Sequence, residues 1–582
     1  MAIASNIFKQ LIYVPETTLG VVELEPTTTQ TTATITGVTA PAAGGTYNIG
    51  DDEIKITLSS GTASTYLNIG TKIVFSNSTQ VYYTTTLVDT TTTSVTIKLD
   101  RGIVIAPVIG TTTATQAWTS AGKKLKPKKL RRVSSNLDLK KESYSSNEVN
   151  SSQQIVDYRI GAQTIDGTLS AELSSYTYSE FISALLRKDF YSPEEFALTV
   201  AGTLAVAPAN TVKGQGVATA NVAIITPNSA DQGTVGTEDA GTLASNKFAG
   251  IKVGEIFSIS NVGASTATAN GASVANIPLL VIAKDITTQA LTVVAANTME
   301  SVTFVGGSLA IGTKFQVLGQ KSFVPLSGHK KKSFQLEHYY YDISHEQPNQ
   351  TDAPYSELFK GVRITQGAVK LPTSGLATVD FTVMGTSMTT PSTETVKWDR
   401  STSTSGAWDK DKSMMETLSG DVPLDPAIDA VYSSAVGNLY IKDKKGASGQ
   451  IYKVGLITSL DFTINGNGET LKVIGSTTSP DVTLGKVNVS GNASIYFQDT
   501  VFRDIFLNSE DATLIAVFTE SSSNTVNSAF MSFVFPRIKT GGASKDDAQS
   551  IVMTVPFTAL LADSSQGYEA TTLSIQEYSQ TA

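Results

Sequence analysis

A chain of 582 residues with a mean hydropathy of zero holds enough apolar sequence for a large core but is too long for one domain, so two or more are expected. Its net charge of −9 argues against the basic face of a sequence-reading nucleic-acid binder. The absence of cysteine excludes a disulfide scaffold, a thiolate metal site and thiol catalysis together.

Residues 1–20 show no basic segment followed by an apolar one, and no run approaches the roughly 18 apolar residues of a membrane span. The expectation is a soluble chain without an export signal or membrane insertion. Thr, Ser, Ala and Gly dominate long stretches, and β-branched and aromatic residues come in short runs, which is the composition of a mainly β protein.

In chain order, residues 1–21 form an N-terminal arm. Residues 22–120 are Thr-rich, and the β-rich runs 66–75, 80–88 and 94–99, separated by turn residues, predict an inserted β-module. Residues 121–195 are charged and strongly patterned and open a first framework domain. The bland texture returns over 196–326, where runs at 251–259, 278–285 and 290–294 predict a second inserted module of similar kind. Residues 327–388 complete the first framework domain, with strands expected at 333–337, 361–371 and 378–384. A polar linker covers 389–449, and 450–582 is the second framework domain, closing on strands at 532–535 and 550–555.

The framework is duplicated. Leu137 and Asp138 pair with Leu460 and Asp461, Asp157 with Asp481, Gly161 with Gly485, Gly167 with Gly491, and Ser170 with Ser494. The separation is 323 residues from Leu137 to Leu460 and 324 from Gly167 to Gly491, and chance rarely keeps such register. Ile165, Leu169 and Leu173 fall opposite Val489, Ala493 and Phe497. A short helix follows each run: Thr177 and Glu180 have capping-box spacing before Phe181, Leu185 and Leu186, and Asp499 can cap a turn carrying Phe502, Ile505 and Phe506. The fold class expected is therefore mainly β, with two tandem β-sandwich or barrel folds, each with a short α-helix, plus the inserted small β-modules. The polar stretch 140–154 reads as a long hairpin tip, and 463–469 occupies the same place in the second copy; long tips that bury nothing at home usually contact something else.

Candidate chemistry is sparse. His338 and His345 flank a Tyr-Tyr-Tyr-Asp run without converging carboxylates or a nucleophile at a defined spacing, and His329 stands apart, so ordinary strand and loop histidines are expected. Asn465 to Gly468 reads as a hairpin turn. The pairs Asp51-Asp52 and Asp546-Asp547 lie in polar loops, and Trp398-Asp399 and Trp408-Asp409 lie in the linker, where a buried carboxylate pair is not expected. No catalytic residue, cofactor or metal is predicted. The basic run Lys123, Lys124, Lys126, Lys128, Lys129, Arg131 and Arg132 suits an extended segment. An inter-subunit role pairing with acidic groups is favoured over nucleic-acid contact, and His329 to Lys332 adds to that patch.

The order Glu16 to Val21, Leu130 to Ser135, Asp157 to Gly161, Gly167 to Leu173 and the short helix resembles that of the siphophage major tail tube protein family. Phe334 to Glu337, Phe359 to Gly361, Phe381 to Gly385, Ser490-Gly491, Tyr496-Phe497 and Val555 to Ala559 continue it. The resemblance spans the framework and leaves out the two bland blocks. It implies a non-enzymatic virion protein, assembled in the host cytoplasm, that stacks in rings to form the channel for DNA ejection. Neighbouring sheets join into one barrel, and long loops contact the next ring. The implied partners are further copies of the chain, the tape measure protein and DNA in the lumen, and tail terminator and baseplate or distal tail proteins at the ends. With two copies per chain a pseudo-hexameric trimer is expected, a true hexamer being the alternative. Inter-subunit or inter-ring contacts are expected at Ser145, Asn147, Asn150, Asn465 and Glu469 besides the basic run, and the acidic balance predicts a net negative lumen. The alternatives are a β-rich surface adhesin or fibre and the inner tube of a contractile injector.

Overall fold

The computed structural model describes residues 9–16, 33–39, 53–58, 72–74, 81–90, 94–99, 116–118, 127–146, 154, 157–193, 195–214, 217–232, 247–296, 302–344, 354–390, 414, 431–432, 437–443, 449–454, 457–497, 501–520, 528–546, 550–563 and 567–579. They are mainly β, with two short α-helices among them.

The framework strands fall into two sets. The first comprises β1 (Lys9–Pro15), β2 (Lys128–Lys129), β3 (Asp138–Ser145), β4 (Tyr158–Glu172), α1 (Ser179–Leu186), β5 (Phe334–Ser344), β6 (Pro354–Leu371) and β7 (Thr378–Gly385). The second comprises β8 (Gly437–Asp443), β9 (Ile451–Val454), β10 (Ile457–Asn465), β11 (Asn488–Tyr496), α2 (Val501–Leu507), β12 (Ala512–Thr519), β13 (Phe530–Thr540) and β14 (Val552–Ala559). In the first set the hydrogen-bonded order is β2-β1-β5-β6-β7-β4-β3. In the second it is β9-β8-β12-β13-β14-β11-β10, the same order strand for strand.

Period-two alternation makes these strands. In β7 every second residue is buried, so Val379, Phe381 and Val383 enter the core while Thr378, Asp380 and Thr382 face out. β12 is different: all eight residues of Ala512–Thr519 are buried. Leu514, Ala516 and Phe518 pack into the framework core, whereas Ile515 and Val517 pack into the core of the second module, which covers the other face. An apolar run without alternation is what two-sided burial requires.

Two framework strands lie where the sequence suggested none. β1 falls in the expected N-terminal arm and β8 in the expected linker. Each has four buried residues in a row, Leu11 to Val14 and Leu439 to Ile441 with Asn438, which hides the alternation. The returning strands are also longer than expected, as β6 and β13 show.

The helix α1 buries Phe181, Ile182, Leu185 and Leu186 and stops at Arg187 in the left-handed conformation. Phe181 sits with ring centroids 5.1 Å from Tyr13, 5.0 Å from Phe334 and 5.5 Å from Phe381. The predicted capping box does not form: the helix starts one residue later than Thr177 implies, and Glu180 bonds Lys128 at 2.7 Å instead. Buried Glu577, from the C-terminal strand Ser574–Tyr578, takes over this end, accepting from the Tyr176 N–H at 3.0 Å and from the Ser179 hydroxyl. A carboxylate at a helix N-terminus complements its exposed N–H groups wherever in the chain it comes from. Asp499, the expected cap of α2, lies outside the described residues.

Both bland blocks are β-modules. In the first, strands run in the order Lys72–Val74, Val81–Thr90, Ser94–Leu99, Glu53–Leu58, Ala33–Thr39 and Gln116–Trp118. In the second, Ile256–Ser260, Leu279–Lys284, Leu291–Ala295, Val222–Thr226, Gly202–Val206 and Gly307–Leu309 follow the same order, flanked by Lys314–Val317 and Phe196–Ala197.

Gly167 and Gly491 hold equivalent places on β4 and β11. A β-carbon on Gly167 would collide with the Leu137 backbone, and one on Gly491 with the Asp461 carbonyl. Gly491→Ala should cost about 1–3 kcal/mol in chemical denaturation, whereas Gly541→Ala, whose nearest neighbour stands 3.7 Å away, should fall within about 0.5 kcal/mol of the parent.

Candidate assembly site

The two sets are fused into one sheet. The C-terminal half of β6 pairs with β7 on one edge and, on the other, with β10 from Gln366 opposite Asn465 to Leu371 opposite Leu460. Eight strands thus run side by side, β3-β4-β7-β6-β10-β11-β14-β13. Away from the core, one cross-strand row reads Ser170, Asp380, Ala368, Thr463, Ser490, Thr558, and the next reads Glu172, Thr378, Lys370, Asp461, Asn492, Pro556. This face carries Asp138, Asp166, Glu172, Asp380 and Asp461. Its lysines Lys140, Lys370 and Lys539, the last opposite Thr558, are bonded to Asp166 at 2.6 Å, Asp380 at 2.8 Å and Asp511 at 3.2 Å.

Among the described residues, both ends of this sheet are open edges. At the β3 end, the Asn136 N–H donates to Thr168 at 3.2 Å, and Asp138 is registered opposite Asp166. Alternate residues of an antiparallel strand turn their polar groups to the same side, so Leu137 and Leu139 direct theirs outward. At the β13 end, the Gly541 N–H donates to the Pro556 carbonyl at 2.8 Å, and Ser544 and Lys545 lie opposite Thr554 and Met553. Ser544 and Lys545 hold the places on β14 that Ala368 and Val369 hold on β7. Sequence reasoning missed this edge, although Gly367-Ala368-x-Lys370 recurs as Gly542-Ala543-x-Lys545 and could have marked it.

The hairpin register refines the repeat. Leu137 lies against Gly167, and Phe462 lies opposite Gly491, so Phe462 rather than Leu460 matches Leu137. The two-residue shift leaves the apolar face unchanged. Asp157 and Asp481 do the same work: each accepts from the N–H of the next residue, at 2.8 and 2.7 Å, and each binds an arginine, Arg159 at 2.9 Å and Arg363 at 2.8 Å. Ser170 and Ser494 both face outward on their strands. Gly161 and Gly485 differ in role, since the Tyr144 ring lies against Gly161 whereas the Gly485 N–H closes a turn on Gly466 and Asn467.

Two expectations about the hairpin tips change. The stretch expected as a tip from residue 140 is paired strand as far as Ser145, and the Ser146 N–H still reaches Asp157. Asn147 and Asn150 lie outside the described residues. In the second set, Asn465 to Gly468 does not close a tight β10–β11 hairpin. The Asn465 carboxamide accepts from the Asn467 N–H at 2.8 Å, Asn467 adopts φ 48°, and the Gly466 N–H turns to the Thr365 carbonyl. The chain then builds a separate ribbon, Gly468–Thr470 against Val482–Leu484, in which Glu469 faces Thr483. This ribbon leans across β6, held by Arg363 to Asp481 and by Arg187 to the Gly466 carbonyl at 3.3 Å, and meets the first hairpin. There the Gln163 N–H donates to Thr477 at 2.7 Å and Lys472 pairs with Glu142.

Of the basic run, Lys123, Lys124 and Lys126 lie outside the described residues. Lys128 bonds Glu180, Lys129 pairs with Ile12 across β1 and β2, the Arg131 carbonyl accepts from the Tyr178 hydroxyl, and Arg132 donates to the Lys9 carbonyl. Lys330 and Lys332 both reach Asp189 beyond α1. Burial alone would raise the Asp189 pKa, but these two ammonium groups hold it well below the usual carboxylate range.

Behind the start of the open β3 edge lies a buried polar cluster. The Ser135 hydroxyl is 2.6 Å from His338 Nε2, and His338 Nδ1 is 3.6 Å from Glu357, which Tyr340 and Tyr355 also approach. Lys9 donates to the Ser135 carbonyl at 2.8 Å, and burial with the nearby Arg132 lowers its pKa to about 8. Burial, more than Lys9 and Arg132, also pushes His338 below its ordinary value against the pull of Glu357. The order hydroxyl, imidazole, carboxylate is that of a nucleophilic triad. Here His338 is fully buried and Ser135 nearly so, and the cluster ties the edge strand to β5. His329 is exposed, and His345 lies outside the described residues. Among the described residues no cluster of three His, Asp or Glu side chains has metal-binding geometry, and no helix is long and apolar enough to cross a membrane.

A duplicated strand order, a fused sheet and a polar outer face define a mainly β chain with sheet edges at both ends of the fused sheet. A family model described as phage tail tube protein matches residues 9–559, nearly the whole chain, and the chain belongs to that family. It is a structural, non-enzymatic component of the phage tail. No curated protein matches the chain.

Proposed function

We propose that the chain is the major tube subunit of a long non-contractile tail, that its two strand sets are tandem copies of one tube fold, and that three chains close each ring. The β6–β10 junction carries this reading, because it pairs the end of one set with the start of the next. The same junction repeated between chains puts β3 of one chain beside residues 541–545 of its neighbour. Leu139 then faces Ala543 and Asp138 faces Ser544, as Ile464 faces Gly367 and Thr463 faces Ala368 within the chain. Three chains of eight strands each complete the barrel, and closure removes both exposed edges.

The polar face of the sheet becomes the lumen, where its acidic groups repel phosphate and let DNA slide without sticking. The tape measure protein occupies the same channel before ejection, and terminator and distal tail proteins meet the tube ends. The hairpins stand at one rim, bringing Ser145, Asn465 and Glu469 towards the next ring; Asn147 and Asn150, expected to share this role, lie outside the described residues. The basic run contributes to contacts between subunits, with Lys128 and Arg132 also serving contacts in their own chain. Electron microscopy of the purified protein at high concentration tests the reading: hollow tubes of stacked rings are expected, and a chain that stays monomeric at every concentration would remove it.

A further inference from the structure

We propose that the two hairpins of each chain act as one clasped unit whose apolar rim seats the far end of the same sheet in the next ring, so that rings stack on three pads instead of six separate loops. This rests on the ring reading above. Tyr158 and Ile160 on the first hairpin are 61% and 60% exposed, Val473 on the second is 48% exposed, and Ile474 is fully exposed. The Lys472–Glu142 pair and the Gln163–Thr477 bond bring the two hairpins together. Exposed apolar side chains on two tethered hairpins mark an interaction surface.

The occupant is a second copy. The sheet end opposite the hairpins is fixed by register, with Glu172 opposite Thr378 and Tyr496 opposite Val552. Exposed apolar side chains gather there too, namely Leu376, Tyr496 and Ile551. Two different apolar patches at opposite ends of one sheet make a head-to-tail contact, which propagates along an axis instead of closing. The threefold character follows from the unequal hairpins. Among the described residues only the second carries an extra ribbon, 468–484, and that ribbon leans back to the first hairpin of its own chain. With one such ribbon per chain, the rim alternates between a clasped pair within a chain and an unclasped boundary between chains.

Two variants test this. Val473→Asp combined with Ile474→Asp should leave the ring mass unchanged by analytical ultracentrifugation while raising the concentration needed for tubes by about tenfold or more. Tubes at the parent concentration, or loss of the ring itself, would overturn the assignment. The chain has no cysteine, so Glu142→Cys with Lys472→Cys places a unique cross-link across the clasp. Oxidised protein should form tubes of parental length. Tubes lost on oxidation and regained on reduction would show that the hairpins must part to reach the next ring, which sinks the proposal. If the unaltered chain forms no tubes, the ring reading fails instead.

Discussion

Leu139→Pro should leave the chain folded and abolish ring formation. Within one chain the Leu139 N–H is directed to the open edge of β3, where it donates only to the adjacent Asp138 carboxylate at 2.7 Å, so a proline there costs that exposed bond but none between strands, as is usual for proline on edge strands. In the ring the same N–H becomes a donor to the neighbour, and the pyrrolidine ring occupies the space the neighbouring strand needs. The equivalent position within the chain, Ile464, is buried between β6 and β11. Ile464→Pro should therefore destabilise the chain itself, by about 3 kcal/mol or more. Circular dichroism and melting read the first effect, and sedimentation reads the second. A Leu139→Pro chain that assembles normally would show that β3 is not the joining edge.

Lys321→Ala should lower stability by about 3–5 kcal/mol, because it strands a buried carboxylate. Lys321 and Glu255 are each only 4% exposed and ion-paired, with Glu569 3.9 Å from the ammonium. The lysine belongs to the strand Gln320–Phe323, which pairs with the C-terminal strand, while Glu255 belongs to the second module. The pair thus fixes the module to the framework. Lys321→Met with Glu255→Gln, which removes both charges, should recover most of the loss. Burial alone would lower the Lys321 pKa, but Glu255, Tyr191 and Glu569 raise it above its ordinary value. A raised ammonium pKa gives stability that is complete below the unfolded value of about 10.4 and lost only as pH rises through the folded one. The deficit of Lys321→Ala should accordingly stay constant between about pH 6 and 9 in urea denaturation. A deficit that disappears within that window would contradict the pairing.

The framework was legible where residues alternate and recur at fixed spacing. Gly167 with Gly491 and Asp157 with Asp481 marked equivalent places because their roles are local: a close approach between strands, and a carboxylate holding the next N–H and an arginine. β12 was not legible, since burial on both faces erased the period in Ala512–Thr519. β1 and β8 were missed because each hides its period in four buried positions, and the main partner of β1 lies more than three hundred residues away. The capping of α1 could not be read from Thr177 and Glu180, as its carboxylate arrives from Glu577 in the last strand. Of the assembly site, the hairpins were visible as polar, turn-rich stretches. The clasp between them was not, because Gly466 looked like part of a two-residue turn, yet its N–H leaves to reach Thr365.

Asp138→Cys with Ser544→Cys gives the most direct measurement, since the chain has no other thiol and directly opposed strand residues lie within disulfide reach. Tubes of this variant, oxidised and run on a denaturing gel, should give one, two and three linked chains and nothing larger. A ladder that reaches six chains, or no linkage at all, would contradict a ring closed by three chains through these two edges.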